Sequence, residues 1–272
     1  VASSAPARPS RLTTVARNLG RGILVVSLLA LFLGFVYWQL NQTYRFHWII
    51  PLGFLAEFNR ALLVTVQVSM VAGVMALILG TFVAIARLAP IVQLRDLGAL
   101  YVHTFRNIPF FVFVLLAYFG LGRTIDIGPL TEALGISIDQ RVFWGMVALA
   151  IFEGAFIAEV IRAGIVAVPT TQVESARSLG MSYAQTMRHI VLPQAMRNIV
   201  PALTNELIAL VKESSLLFYI SVAELTLTAR RLASHEGATF EFYTILAGYY
   251  LLITVPIAFA SHRLEKRMAA HD

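Results

Sequence analysis

The feature that most limits how this chain can fold is its series of long apolar runs. Several approach or exceed the ~20 helical residues needed to cross a hydrocarbon layer of ~30 Å. The first runs from Ile23 to Trp38, and the others cover 60–87, 97–121, 142–163, 196–219 and 242–262. In lipid every backbone polar group must be satisfied within the protein, which leaves helices and closed barrels. A barrel would read as alternating segments of about 10 residues, whereas these runs are continuous. The expectation is an all-α, polytopic helical membrane protein of about six transmembrane helices. Charged residues make up only 13% of the 272, against roughly 25% in soluble domains.

The net charge of +6 would suggest nucleic acid in a soluble protein. Here the cations stand in the connections between apolar runs and report orientation instead, so no nucleic-acid partner is expected. One side carries Arg8, Arg11, Arg17 and Arg21, then Arg87 and Arg95, then Arg162, Arg177 and Arg188, and finally Arg263, Lys266 and Arg267. The other carries Arg45, Arg123, Arg141, Arg230 and Arg231. The richer side is expected to be cytoplasmic, with both termini on it. A basic segment before an apolar run also describes a signal peptide. No small-x-small cleavage site follows this run, and Tyr37 and Trp38 suit a membrane interface, so a retained first span is expected.

Several chemistries are excluded by residue counts. There is no cysteine, which removes disulfides, thiolate metal sites and thiol catalysis. The only lysines are Lys212 and Lys266, and neither follows glycine, so the phosphate-binding pattern GxxxxGK[ST] is absent. Any ATP hydrolysis coupled to this chain must take place on another chain. The histidines, including His103, His189 and His235, are scattered and form no HExxH pattern. Neither a catalytic residue nor a metal site is expected.

The connection 162–196 is long and patterned. Thr171-Gln-Val-Glu174 and Ser182-Tyr-Ala-Gln185 both fit a capping box, in which a hydroxyl N-cap and an acidic or amide residue three positions on satisfy each other's backbone N–H groups. Gly180 fits a helix stop, and Leu192-Pro193 is expected to end the second helix. The segment therefore reads as two short helices joined at Gly180. Its spacing is Glu174-Ser175-Ala176, three residues, Gly180, nine residues, Ile190, one residue, Leu192-Pro193. This resembles the EAA loop of ABC importer permeases, with Ser175 where that family usually has alanine.

The resemblance extends over about 58–265 and is closest to the polar amino-acid permeases, the histidine/glutamine/arginine and glutamate/aspartate group. Phe105-Arg106-Asn107-Ile108-Pro109-Phe110, Ala155 to Ile165, and Asn205 to Leu216 are similar to three of that group's motifs, in order. The resemblance implies a permease subunit that forms the transmembrane pathway for amino-acid uptake in the bacterial inner membrane. It implies a coupling helix at 170–193 that docks on a separate ATP-binding cassette ATPase dimer, where ATP and Mg are bound. No cofactor is expected on this chain itself. A second permease, of the same or a related chain, and a periplasmic solute-binding protein are implied as partners. Contacts with the binding protein are expected near 39–59, 122–141 and 220–241. The expected domains are an N-terminal tail, first helix and linker over 1–57, the permease domain over 58–265, and a cytoplasmic tail over 266–272.

Ionisable side chains within a span cost roughly 2.5–3.5 kcal/mol each on insertion scales and usually face a pathway or a partner. Glu153 falls near the midplane of its run, and Lys212 and Glu213 lie at a similar depth in theirs. Two readings stand together. Glu153 and Lys212 form an ion pair that packs two helices, or Glu153 meets the ammonium of an amino acid while Lys212 or Arg106 meets its carboxylate. Asn107 and Pro109 are expected to break their span, and Gly154 and Gly164 to allow close helix approach. With Ser214 and Ser215 from the matching motif, the candidate pathway residues are Glu153, Lys212, Arg106, Asn107, Ser214 and Ser215. An ion-driven transporter is the competing reading, but no internal repeat is evident. An intramembrane enzyme would need a nucleophile–base pair or a metal cluster that the runs do not contain.

Overall fold

The computed structural model describes residues 11–42, 44–133 and 135–269, and all regular structure among them is helical. Arg8 and the residues after 269, which contribute to the orientation and tail readings, lie outside the described residues. The chain divides into two units, Val1–Trp48 and Ile49–Asp272. The first contains α1 (Arg11–Asn41), whose apolar stretch Gly22–Gln39 has none of its side chains buried. Within this unit Tyr37 stacks on Phe46 and Phe46 on Trp48, with ring centroids 5.1 and 5.6 Å apart.

The second unit holds α2 (Ile49–Leu52), α3 (Leu55–Leu88), α4 (Val92–Asn107), α5 (Phe110–Leu116), α6 (Gly128–Ala133), α7 (Gln140–Val166), α8 (Thr170–Ser178), α9 (Tyr183–Thr186), α10 (Leu192–Glu213), α11 (Leu225–Glu236) and α12 (Thr239–Ala269). Wide π turns extend α5 over Ala117–Gly122 and join α9 to α10 over Met187–Val191. A 3-10 segment, Ser214–Ile220, follows α10.

Helix ends follow local chemistry. Asp139 caps α7 by accepting from the Arg141 backbone N–H at 2.8 Å. Glu224 caps α11, accepting from Thr226 and Leu227 at 2.8 Å each. Helix α4 stops at Asn107 because the residue before a proline, here Ile108, is driven out of the helical region. The chain bends by 108° between α4 and α5, so the expected break at Asn107–Pro109 is present.

Helices α3 and α7 form the centre of the unit and share its most extensive helix contact. Their approach depends on missing side chains. A Cβ on Gly80 would lie 2.7 Å from Ile157 Cγ2 and 2.9 Å from the Gly154 carbonyl, and a Cβ on Gly164 would overlap Ile199 of α10. Around this contact Val68, Ala72, Phe110, Leu149, Phe152, Leu210 and Leu217 form the main core. A second core joins the start of α3 to α11 and α12 through Phe58, Leu225 and Phe242.

The expected count of six spans is not reached by length and composition. Among the described residues four helices are long and apolar enough to cross a membrane, or five if the bent α4–α5 pair is counted as one span. The expected span 196–219 is instead the 22-residue α10, ended at Glu213 by the 3-10 segment. Arg197, Glu206, Lys212 and Glu213 keep it out of that count, which rests on length and composition alone.

Candidate functional site

Two regions carry the expected functional residues. The first is the loop 170–193. Helix α8 begins two residues earlier than expected, with Pro169 at the N-cap position and no side-chain cap. The expected Thr171–Glu174 capping box is therefore not formed. The fixed φ of Pro169 already sets the extended entry to the helix, which places Thr171 inside the first turn. The second box is present, with Gln185 N–H donating to Ser182 Oγ at 3.3 Å and Ser182 N–H to Gln185 Oε1 at 2.8 Å. Gly180 has φ +85°, and the Met181 N–H reaches back to the Ala176 carbonyl at 3.2 Å. This is a left-handed helix stop of the kind glycine adopts without steric cost.

Leu192-Pro193 does not end the second helix. The helical backbone continues through the π turn into α10, with Pro193 in the first turn of α10, where a missing N–H costs little. The loop is thus mounted directly on α10. It is also held by a cluster of Val168, Val191, Ala195 and Ile199, into which Val160, Ile161 and Ile165 of α7 and Val173 and Met187 of the loop pack. The Gln194 side-chain amide donates from Nε2 to Gln172 Oε1 at 2.5 Å and so ties α10 to α8.

The outer face of the loop is free. Glu174 and Ser175 are exposed, and Glu174 makes no ion pair among the described residues. Ala176 is buried and Ile190 partly so. Leu179 is 84% exposed, a large apolar side chain held at the corner beside Gly180. Beneath it Gln172, Ser175, Ala176, Leu179, Met181 and Ile190 line a concave surface of about 320 Å³.

The second region lies at the middle of α7. Glu153 is 2% exposed, and its Oε2 has no hydrogen-bond partner. The expected ion pair with Lys212 is not formed. Successive helical residues point about 100° apart, so only one of Lys212 and Glu213 can face α7. Glu213 does so and sits beside Glu153, with a buried Oε2 that is likewise unpartnered, while Lys212 is exposed. The negative charge of Glu206 acts on both carboxyls.

Arg106 supplies the positive charge acting on Glu206, and its guanidinium lies 5.5 Å from the ring centroid of Phe156. Glu206 also lines a groove of about 380 Å³ between α3, α7 and α10 that is otherwise walled mainly by Met70, Val74, Leu77, Leu203 and Leu207. The structure thus gathers Glu153, Glu213, Glu206 and Arg106. It directs the remaining candidates elsewhere. Asn107 donates to the His103 carbonyl at 2.6 Å, Ser214 donates to the Val211 carbonyl at 2.7 Å, and Ser215 lies by the Tyr250 hydroxyl.

Glu206 and Glu213 carried a signal in the sequence, as acids inside an apolar run, yet nothing there paired them with Glu153. Tyr101 had none. Its hydroxyl donates to the Ile151 carbonyl at 2.5 Å and fits against Gly154, fixing the stretch of α7 that presents Glu153. Among the described residues no group of histidines and acids is arranged to hold a metal ion.

Residues 76–270 match the family described as "Binding-protein-dependent transport system inner membrane component". The chain is 38% identical over 204 residues to the probable glutamine ABC transporter permease protein GlnM of Bacillus subtilis, covering 75% of this chain and 89% of that one. It is 32% identical over 228 residues to the glutamate/aspartate import permease protein GltK of Escherichia coli O6:H1, covering 83% and 100%. It is 32% identical over 216 residues to the arginine transport system permease protein ArtQ of Bacillus subtilis, covering 78% and 92%. Among solved structures, one described as an amino acid ABC transporter with histidines superposes with a TM-score of 0.72 at 32% identity, covering 82% of this chain and all of that one. The inward-facing MetNI methionine ABC transporter, at 21% identity and a TM-score of 0.64, shares the fold.

Proposed function

Because this chain belongs to the family of binding-protein-dependent transport system inner membrane components, we propose that it is the membrane permease of an amino-acid importer, driven through its 170–193 loop by a separate ATPase. The observation that carries the reading is the mounting of that loop. It is fixed to α7 and α10 by the Val168–Ile199 cluster, yet holds Leu179 and Glu174 outward. A rigid arm with an exposed apolar tip suits a part that is pushed by a partner.

In this reading Glu174, Ser175, Ala176, Gly180, Ile190, Leu192 and Pro193 form the coupling element. Leu179 and the hollow beneath it are its contact with an ATP-binding cassette dimer, which binds ATP and Mg. Both termini are cytoplasmic, a second permease completes the pathway, and a solute-binding protein delivers substrate at the other face. The relatives GlnM, GltK and ArtQ, named for glutamine, glutamate/aspartate and arginine, support an amino acid as the cargo.

The acidic cluster sets the class of cargo. Glu153, Glu213 and Glu206 place three carboxyls together, with Arg106 acting on Glu206 and Lys212 on Glu213 and no cation acting on Glu153 among the described residues. A buried charge persists only where it is paired or hydrogen-bonded. Glu153 and Glu213 hydrogen-bond to each other, each keeps one unpartnered oxygen, and those oxygens suit a cationic group. We assign the site to an amino acid with a basic side chain, whose carboxylate Arg106 receives. Purification of the tagged chain from native membranes, followed by mass spectrometry and an ATPase assay, tests the importer reading. Recovery of an ATP-binding subunit is expected, and recovery of the chain alone in mild detergent would overturn it. Competition of uptake by unlabelled arginine and by unlabelled glutamate tests the cargo class, and stronger competition by glutamate would overturn that assignment.

A further inference from the structure

One ion cluster lies apart from both regions. Arg87, next to last in α3, donates from Nη1 to Glu159 of α7 across 72 residues of sequence. Arg162, one turn further along α7, donates to the same carboxylate from Nη2 at 2.6 Å and from Nε at 3.2 Å. The Arg87 side chain is 12% exposed and that of Glu159 24%. No local pattern in the sequence joins Arg87 to Glu159, which lies 72 residues away.

Its position matters. Val160, Ile161 and Ile165 lie one, two and six residues after Glu159 in α7, and they belong to the cluster on which the 170–193 loop packs. On the other side, α4 is fitted to α3 at Arg87 itself, since a Cβ on Gly98 would lie 2.7 Å from Arg87 Cγ. Eight residues after Gly98, α4 carries Arg106 and then breaks. The apolar contact here is made by Ala84, Val102 and Ala158, with Val83, Tyr101 and Ile161 packed against them. Besides these apolar contacts, the Gly80–Ile157 packing and the Tyr101–Ile151 hydrogen bond, the Arg87–Glu159 pair is a charged tie between α3 and α7 on the side of the 170–193 loop. A charge-assisted bond is directional and holds one register.

We propose that the Arg87–Glu159–Arg162 cluster is the clamp through which movement of the 170–193 loop reaches α3 and α4, and through α4 the acidic cluster. Arg87 and Glu159 are positioning residues, since neither touches cargo. The inference rests on the importer reading. Without the clamp, movement of the loop no longer reaches α3 and α4, ATP is hydrolysed, and the cargo site does not change its state.

The test uses the whole complex in lipid nanodiscs and the complete importer in cells. Arg87→Met keeps the stem and removes the charge, and Glu159→Gln keeps the shape. Uptake of an equimolar radiolabelled mixture of amino acids is measured against ATP hydrolysed and against the amount of assembled complex. Both variants are expected to assemble with the ATPase and to hydrolyse ATP without cargo as wild type does, while uptake per ATP falls about tenfold, a coupling energy typical of linked sites. The exchanged pair Arg87→Glu with Glu159→Arg is expected to recover most of it. Wild-type uptake per ATP in both single variants would overturn the clamp. So would a fall in uptake that only follows a fall in assembled complex. If wild type itself neither binds an ATPase nor imports amino acids, the importer reading fails, and the clamp with it.

Discussion

Tyr101 of α4 and Ile151 of α7 are joined by a 2.5 Å hydrogen bond from the phenol to the backbone carbonyl, made possible by the absence of a side chain at Gly154. A Cβ on Gly154 would lie 2.9 Å from the Tyr101 hydroxyl and 3.2 Å from Leu79 Cδ2. Gly154→Ala is expected to destabilise by about 1–3 kcal/mol, the usual cost of overpacking a tight contact. Tyr101→Phe is expected to cost about 1 kcal/mol for the lost hydrogen bond. Because the phenol oxygen is the main obstacle, the double variant should be less damaged than the sum of the two. Thermal unfolding of the purified protein in detergent measures this, and strict additivity would count against the notch.

Glu174→Arg should leave the protein folded and inserted, because Glu174 is exposed and its side chain bonds no other residue among the described residues. Transport should nonetheless uncouple from ATP hydrolysis. Uptake and ATPase activity in the same preparation check this, and normal transport in the variant would remove Glu174 from the coupling element.

Glu153→Gln should weaken uptake of a basic amino acid by about tenfold or more, as expected for losing one charged hydrogen bond worth roughly 1.5–3 kcal/mol. ATPase assembly should persist. Uptake kinetics with arginine as the probe give the result, and unchanged rate and preference would leave Glu153 a packing residue.

Gly180→Ala meets no atom within 4 Å, so its cost is conformational alone. At φ +85° that cost is about 1–2 kcal/mol. Asparagine, which enters this region more readily, should be tolerated better. Limited proteolysis of the loop distinguishes the two variants.

Asp139, which precedes the α7 span, accepts from the Arg141 guanidinium at 2.7 and 3.0 Å, and this pairing holds its carboxyl below the ordinary aspartate value. A lowered folded value means that the contribution is present above the unfolded pKa of about 3.9. It is lost as pH falls through the folded value. Asp139→Asn, which keeps a good N-cap but no charge, should flatten the acid limb of a stability–pH profile slightly. An unchanged limb would show that the exposed pair contributes nothing.

Legibility in the sequence divides along physical lines. The break at Asn107–Pro109, the Ser182 box and the Gly180 stop were readable because each is dictated by residues within a few positions. The Thr171 box was not, since Pro169 offered an equally local and competing helix entry. The polar character of α10 was visible as Arg197, Glu206, Lys212 and Glu213, and the run 196–219 was still expected to span because its remaining residues are apolar.

What the sequence determined by itself is the membrane setting, the helical class and the family, because apolar run length, backbone satisfaction in lipid and fixed motif spacing are properties of the chain read in order. The tertiary structure alone decided which ionisable groups meet. Facing α7 with Glu213 rather than Lys212 is a matter of helix rotation, and a turn of about 100° between neighbours replaces an ion pair with an acidic cluster. The Arg87–Glu159 contact likewise depends on how closely α3 and α7 approach at Gly80, a distance that no local pattern encodes.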